Sequence, residues 1–335
     1  MSSLLVPVAT IESLRPHTNA DALELATVLG WQLVVRKGEY QVGDRVVYFP
    51  IDTILPFELS EKLNVTKYLS KQRIRCARLR GEPSFGLAIP PDQEWEVGEN
   101  VADFYGAEKY FPPVRAGVAD YEVDDPLFTK YTEIENMRNF PTIFHPGEEV
   151  VITEKLHGSN SRVGIINGQF MAGSHAMRRK EPTDYSRNLY WYPLSLEPVR
   201  TYLERAAELH RQVIFYGEIY GPGVQSLQYG VKGLGYRVFD IYVDGHYLDW
   251  DSLLTVCHLN GIETVPELAR IPYSLETVKA YSEGKTMLME QNAHMREGVV
   301  VKPLQERTDP KVGRVVLKYV GDTYLFGEKS DYQEV

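Results

Sequence analysis

Residues 149–172, EVVITEKLHGSNSRVGIINGQFMA, decide how this chain is read. The first part is a β-branched run that ends on Lys155 and then Leu156-His157-Gly158. The second part holds two apolar segments, 161–166 and 169–172, on either side of Asn167-Gly168. Asn-Gly is a type I′ turn signal, because both central positions tolerate positive φ. The stretch therefore predicts a strand over 149–156, then a β-hairpin, with a lysine near the end of the first strand. A strand that buries Ile152 does not readily carry a lysine beside it without a partner or a ligand.

Moving downstream, a second hairpin is expected over 236–243 and 246–249, around Asp244-Gly245. Helices are expected near 196–210, 251–259 and 274–282, where apolar residues recur at three and four. Late strands are expected over 298–302 and 314–319. Upstream, residues 1–110 predict short strands at 31–37, 45–51, 73–79 and 85–89. Gly38, Gly43, Gly81, Pro83 and Ser84 serve as punctuation. That density of short strands favours a small OB-like β-barrel over a βαβ unit. Between them, Pro112, Pro113 and Pro126 frame the acidic residues Asp120, Glu122, Asp124 and Asp125. This composition predicts a linker or exposed connection over 111–130. The fold class is α+β: an OB-like unit over 1–110, then an antiparallel-sheet domain over 131–335.

A chain of 335 residues leaves ample sequence for two cores. The net charge of −10, from 46 acidic and 36 basic side chains, argues against nonspecific polyanion binding. A local basic surface remains open. Residues 67–80, KYLSKQRIRCARLR, hold six basic residues and no acidic one. Arg73 and Arg75 would share one strand face and Arg78 and Arg80 the other, so all four meet one nucleic-acid strand only across a bulge. Tyr68 would add a stacking platform of the kind OB barrels use for single strands. The alternative is a solvated edge strand guarded by arginine. Cys76 and Cys257 are the only cysteines, which rules out a disulfide framework or CxxC metal site. The start lacks a basic signal region, and no apolar run approaches the roughly 20 residues of a membrane span. A cytoplasmic location is expected.

Four segments place an isolated charge beside glycine: Lys155-Leu-His-Gly158, Gly217-Glu218-Ile-Tyr-Gly221, Glu297-Gly298-Val-Val-Val-Lys302 and Leu317-Lys318-Tyr319. Glycine there admits close approach of something bulky. Two carboxylates and three lysines converging on one cleft suit a nucleoside triphosphate and its metal.

That ordered set resembles the covalent nucleotidyltransferases, the polynucleotide ligases and mRNA capping enzymes. It is most similar to ATP-dependent RNA ligases with an N-terminal OB domain. The stretches Gly38-Glu-Tyr-Gln-Val-Gly-Asp44, Val46-Val-Tyr-Phe-Pro-Ile-Asp52 and Leu79-Arg-Gly81 resemble that group's OB region, and Glu154-Lys-Leu-His-Gly-Ser-Asn160 its nucleophile strand. The resemblance implies three steps. Lys155 attacks the α-phosphorus of ATP and holds AMP as a phosphoramidate. AMP passes to an RNA 5′-phosphate, and a 3′-OH then displaces it. The expected partner is RNA with 3′-OH and 5′-phosphate ends, held as a nicked duplex. No membrane or protein partner is implied.

Residue by residue, the resemblance assigns nucleotide contacts to Glu154, Leu156, Gly158, Asn160, Arg179, Glu218, Lys302 and Lys318. Phe239 would stack on adenine, and Glu218 and Glu297 would hold Mg²⁺ or Mn²⁺. Lys302, Lys318 and the metal would all disfavour the ammonium form of Lys155, whose ordinary pKa is about 10.4. The pattern departs from the superfamily at His157, where most members have aspartate. An imidazole does not hold a metal-bound water as a carboxylate does, so a hydrogen-bonded structural histidine is expected. A single lysine, Lys318, stands where many relatives have two. Only 17 residues follow it, so no C-terminal OB domain is expected. A capping-type guanylyltransferase and a noncatalytic RNA-binding protein are the alternatives. The leading OB domain argues against the first, and retention of Lys155, Glu218, Glu297 and Lys318 argues against the second.

Overall fold

The computed structural model describes residues 4–112 and 120–327, arranged as two compact units. Of the described residues, 4–112 and 136–141 group as the first unit, and 120–135 with 142–327 as the second.

In the first unit, strands Leu23–Val28 and Trp31–Arg36 form a hairpin whose turn residues, Leu29 and Gly30, both have positive φ. Ser13–Pro16 pairs on its outer side. Arg45–Phe49 lies between Val8–Thr10 and Leu87–Ile89. Leu33, Val46, Val47 and Phe49 form a core that is 0–1% exposed. The strand expected over 73–79 is broken: Ala77–Leu79 pairs with Glu82–Ser84 across Arg80-Gly81, while Arg73 forms isolated bridges with Ile54 and Ser70. Ile74 exchanges backbone hydrogen bonds with Asp52 and Thr53, and the Arg73 side chain turns inward to Asp52.

The second unit is built on two antiparallel sheets. One is seven-stranded, in the order Tyr121–Glu122, Arg178–Arg179, Gln169–Ser174, Ser159–Ile166, Gln212–Tyr220, Gly235–Val243, His246–Tyr247. Both expected hairpins are present, with Asn167, Gly168, Asp244 and Gly245 all at positive φ. In the other sheet, Glu149–Lys155 lies between Gly298–Pro303 and Glu267–Pro272, and Leu317–Val320 pairs with Gly298–Pro303. Glu197–Ala206 packs Val199, Leu203 and Ala206 onto the core, three residues at four-then-three spacing. Trp250–Asn260 stops at Gly261 in the left-handed conformation, and the Ser274 hydroxyl caps Leu275–Ser282.

The segment expected as an exposed linker is different where it is described; residues 113–119 lie outside the described residues. Tyr121–Glu122 joins the large sheet against Arg178–Arg179. Asp120 pairs with Arg179 at 2.9 Å and Glu122 with Arg178 at 2.9 Å. Asp124 meets Arg162 at 2.5 Å. Arg162 is fully buried, donates to the carbonyls of Phe128 and Ser174, and lies over the Phe128 ring. Acidic residues that composition assigns to solvent therefore fasten residues 120–128 onto the sheet by matching its arginines.

Candidate active site

Lys155 ends its strand directly opposite Gly298. Its ammonium donates to Oε1 of Glu297 at 2.6 Å. The Glu297 side chain is 6% exposed and that of Lys155 is 25% exposed, so the pair sits at the margin of the interior. His157 faces the other carboxylate oxygen, with Nδ1 3.2 Å from Glu297 Oε2. Its Nε2 is 3.1 Å from the Ser226 hydroxyl, and its backbone N–H donates to the Tyr229 hydroxyl at 2.6 Å. His157 is thus hydrogen-bonded through both ring nitrogens and its backbone N–H.

Glu218 comes from the large sheet, opposite Asn160. Burial is the main influence on its carboxyl and raises it, the Lys155 charge opposes, and the Glu297 charge raises it further. The result is a carboxyl pushed up to about 8. Burial also works upward on Glu297, but Lys155 and His157 outweigh it and hold that carboxyl below its ordinary range. Two carboxyls in one site are thus driven apart, one held ionised and one ready to carry a proton or meet a cation. The Asn160 Oδ1 is buried without a hydrogen-bond partner among the described residues.

Lys318 lies opposite Val300, so it projects from the same sheet face as Lys155 and Gly298. Lys302 shares that face but is placed differently from expectation. Its ammonium meets Asp240 at 2.8 Å and the carbonyl of Phe239 at 2.6 Å, with 3% of the side chain exposed. A phosphate contact would have to break this buried pair. Phe239 is the extra residue of a β-bulge: Tyr216 pairs with Asp240 and Gly217 with Val238, leaving Phe239 between them. The bulge re-aims a half-buried ring, whose edge-on neighbour is Tyr131 at 5.0 Å.

Other expected nucleotide contacts have mainly internal partners. The Glu154 side chain is 1% exposed on the sheet face opposite Lys155, with Oε2 accepting from Met287 N–H at 2.8 Å. Its Oε1 has no partner among the described residues. Leu156 belongs to the core cluster, so only its backbone can face a ligand. The glycines do admit a close neighbour, but that neighbour is the protein. A Cβ on Gly158 would run into the Ile219 carbonyl oxygen, and one on Gly298 into that of Tyr319. Arg179 is engaged by Asp120 and lies 5.0 Å from the Tyr190 ring centre.

In the first unit, Arg73 is bound to Asp52 at 2.5 Å and stacks on Tyr110 at 3.7 Å, which removes it from the expected basic surface. Arg75, Arg78, Arg80 and Tyr68 are exposed. Ser226 and Tyr229 escaped sequence reasoning altogether. They sit in a loop with no periodicity, and nothing in their spacing ties them to His157.

No group of three or more His, Cys, Asp or Glu side chains forms a ready metal site among the described residues. Glu218 and Glu297 do fit a hard divalent ion that takes one or two carboxylates and completes its shell with phosphate and water. An RNA ligase family model matches residues 148–320, just over half of the sequence and the whole of this constellation. The chain belongs to the RNA ligase family. An OB-fold domain model matches residues 5–91, so this RNA ligase carries an OB-fold unit ahead of its antiparallel-sheet ligase domain. Among solved structures it is similar to a Naegleria gruberi RNA ligase mutant with ATP and Mn (27% identity, TM-score 0.71, 96% of this chain and 98% of that one). It is also similar to another mutant of that ligase with AMP and Mn (26%, 0.71, 95% and 97%). The same ligase with PPi matches at 27% identity and a TM-score of 0.68, over 95% and 97%. A comparison with curated proteins returns no match. No helix among the described residues of the RNA ligase is long and apolar enough to cross a membrane.

Proposed function

We propose that this RNA ligase is ATP-dependent and joins a 3′-OH to a 5′-phosphate in RNA through a Lys155-bound AMP, as part of RNA repair in the cytoplasm. The observation that carries this reading is the Lys155–Glu297 pair at 2.6 Å, with Lys318 projecting from the same sheet face. The amine of Lys155 loses a proton and attacks the α-phosphorus of ATP. The N–P bond forms as the bond to pyrophosphate breaks. Lys318 stabilises charge on the phosphate oxygens. Asn160, with its unsatisfied oxygen beside Glu218, contacts the nucleotide sugar. Phe239 packs on the base. The AMP then passes to the 5′-phosphate, and the 3′-OH displaces it. Glu218 and Glu297 are the residues that would hold Mg²⁺ or Mn²⁺, which would neutralise phosphate charge. Arg75, Arg78, Arg80 and Tyr68 contact the RNA, a nicked duplex being the expected form.

Incubation with α-labelled ATP or GTP and a divalent metal, followed by denaturing electrophoresis, tests the first step. Label from ATP that is lost in Lys155→Ala is the expected result. Label from GTP alone would turn the reading to a capping-type enzyme, and no label from either would remove the catalytic reading.

A further inference from the structure

The surroundings of His157 contain more than a histidine with its hydrogen bonds satisfied. Glu297 accepts from the Lys155 ammonium through Oε1 at 2.6 Å, an ion pair in which the carboxylate offers only acceptors. An ionised carboxylate only accepts, so the Nδ1 at 3.2 Å must carry the proton. In the neutral ring, Nε2 is then the acceptor, and the Ser226 hydroxyl at 3.1 Å donates to it. Ser226 thereby supports the tautomer that directs N–H at Glu297. The same loop grips His157 a second time through Tyr229, whose hydroxyl accepts the His157 backbone N–H at 2.6 Å. Tyr229 is 2% exposed and sits at φ 54°. A bulky aromatic residue is rarely left-handed, and such a conformation persists only where its surroundings impose it. The loop accepts backbone strain at the residue that anchors the start of the Leu156–Gly158 turn.

We propose that His157 is a positioning residue for the first step of ligation, acting with Ser226 and Tyr229. Clamped ring and backbone, it holds one oxygen of Glu297 so that the other faces Lys155. The chain Ser226–His157–Glu297–Lys155 then fixes the direction of the lysine amine before the nucleotide arrives. This rests on the reading of Lys155 as the nucleophile. Among the described residues, the groups facing the ring include Glu297, Ser226 and Tyr324, the last with its ring centre 5.8 Å away. Lys155 and Glu218 act on the same carboxyl pair.

The test compares His157→Ala, His157→Asn and His157→Gln in single-turnover self-adenylylation. An asparagine amide nitrogen occupies roughly the place of Nδ1, and a glutamine amide that of Nε2. His157→Ala should slow labelling at saturating ATP by about tenfold or more, with the apparent KM for ATP held within about twofold. His157→Asn should recover much of the rate and His157→Gln little. Ser226→Ala should cause a smaller loss in the wild type and none in the His157→Asn background, which lacks the acceptor it serves. Lys155 reactivity toward pyridoxal phosphate, trapped with borohydride and mapped by mass spectrometry, should follow the same order. That second readout needs no ATP chemistry, so it stands even if labelling by ATP fails and takes the nucleophile reading with it. Wild-type rates in His157→Ala would overturn the inference. So would equal losses in the Ala, Asn and Gln variants, which would make the ring a packing element only.

Discussion

The strand Gly298–Pro303 has an ion cluster at each end, and the two differ in how they are closed. At one end Glu297 meets Lys155 and His157 beside Glu218, and a quarter of the Lys155 side chain is still exposed. At the other, Lys302 and Arg314 meet Asp240 and Glu306, with Tyr131 donating to Asp240. Lys302, Arg314 and Asp240 are 3%, 7% and 1% exposed there, with Glu306, 23% exposed, at the rim. In this closed cluster burial pushes the Asp240 carboxyl up, but Arg314 and Lys302 outweigh it and hold it low. Charges of both signs are matched and every partner is inside the protein. Beside Lys155 two carboxyls share one site, and burial, with the Glu297 charge added, pushes the Glu218 carboxyl up to about 8 against the pull of Lys155. A cluster whose charges are matched in the interior fixes shape; one left partly exposed, with a carboxyl raised by burial, is where a ligand can bind.

The sealed end should give the largest response. Asp240→Ala would strand the buried Lys302 ammonium and leave Arg314 paired with Glu306, with an expected loss of about 3–5 kcal/mol. The corresponding fall in Tm is on the order of 10 °C, measurable by thermal denaturation. Lys155→Ala, at the open end, should abolish labelling with a Tm change of no more than a few degrees. Comparable Tm losses in both variants would erase the contrast.

Glu218 gives the next effect, and its direction follows from its pKa. The ordinary carboxyl value is 4.5 and the folded value about 8. Between these, the folded form keeps a proton that the unfolded form has released, so this group's contribution to stability declines as pH rises through that window. A divalent ion competes with the same proton, so its binding should strengthen from pH 6 to pH 8. Glu218→Gln should flatten both profiles, read as Tm against pH with and without Mn²⁺. An unchanged slope in the variant would show that another group governs both profiles.

The smallest effects repeat the contrast in the OB-fold unit. Arg73 is closed onto Asp52 and Tyr110, whereas Arg75 is exposed. Arg73→Ala should lower Tm, with its effect on RNA binding following from stability. Arg75→Ala should leave Tm within a degree or two and reduce the salt dependence of RNA binding by about one unit of slope. Exchanged outcomes would reverse the assignment of the two arginines.

Much of this was legible in the residues. Both hairpins announced themselves by Asn167-Gly168 and Asp244-Gly245, because type I′ turns demand particular side chains. The Lys155 and Glu297 segments also came together as the motif order implied. The strand Gln212–Tyr220 was harder to see: apart from Glu218 it is buried throughout, so it shows no alternation. The inward turn of Arg73 and the closure of Lys302 onto Asp240 depend on partners distant in sequence, which no local pattern reports. Ser226 and Tyr229 were silent for the same reason. The acidic stretch at 120–125 was misleading because composition measures charge but not its complement. Its matching arginines are 38 to 59 positions downstream.

That stretch also sets where the ligase domain can be cut. A fragment beginning at residue 131, where composition places the domain's start, would discard Asp124 and the Phe128 carbonyl. Arg162, which has no exposed surface, would then keep its charge in the interior with one carbonyl left to receive it. A soluble catalytic fragment therefore has to begin upstream of Asp120. Truncation trials that respect the apparent domain edge would fail by misfolding and be mistaken for evidence that the OB-fold unit is required.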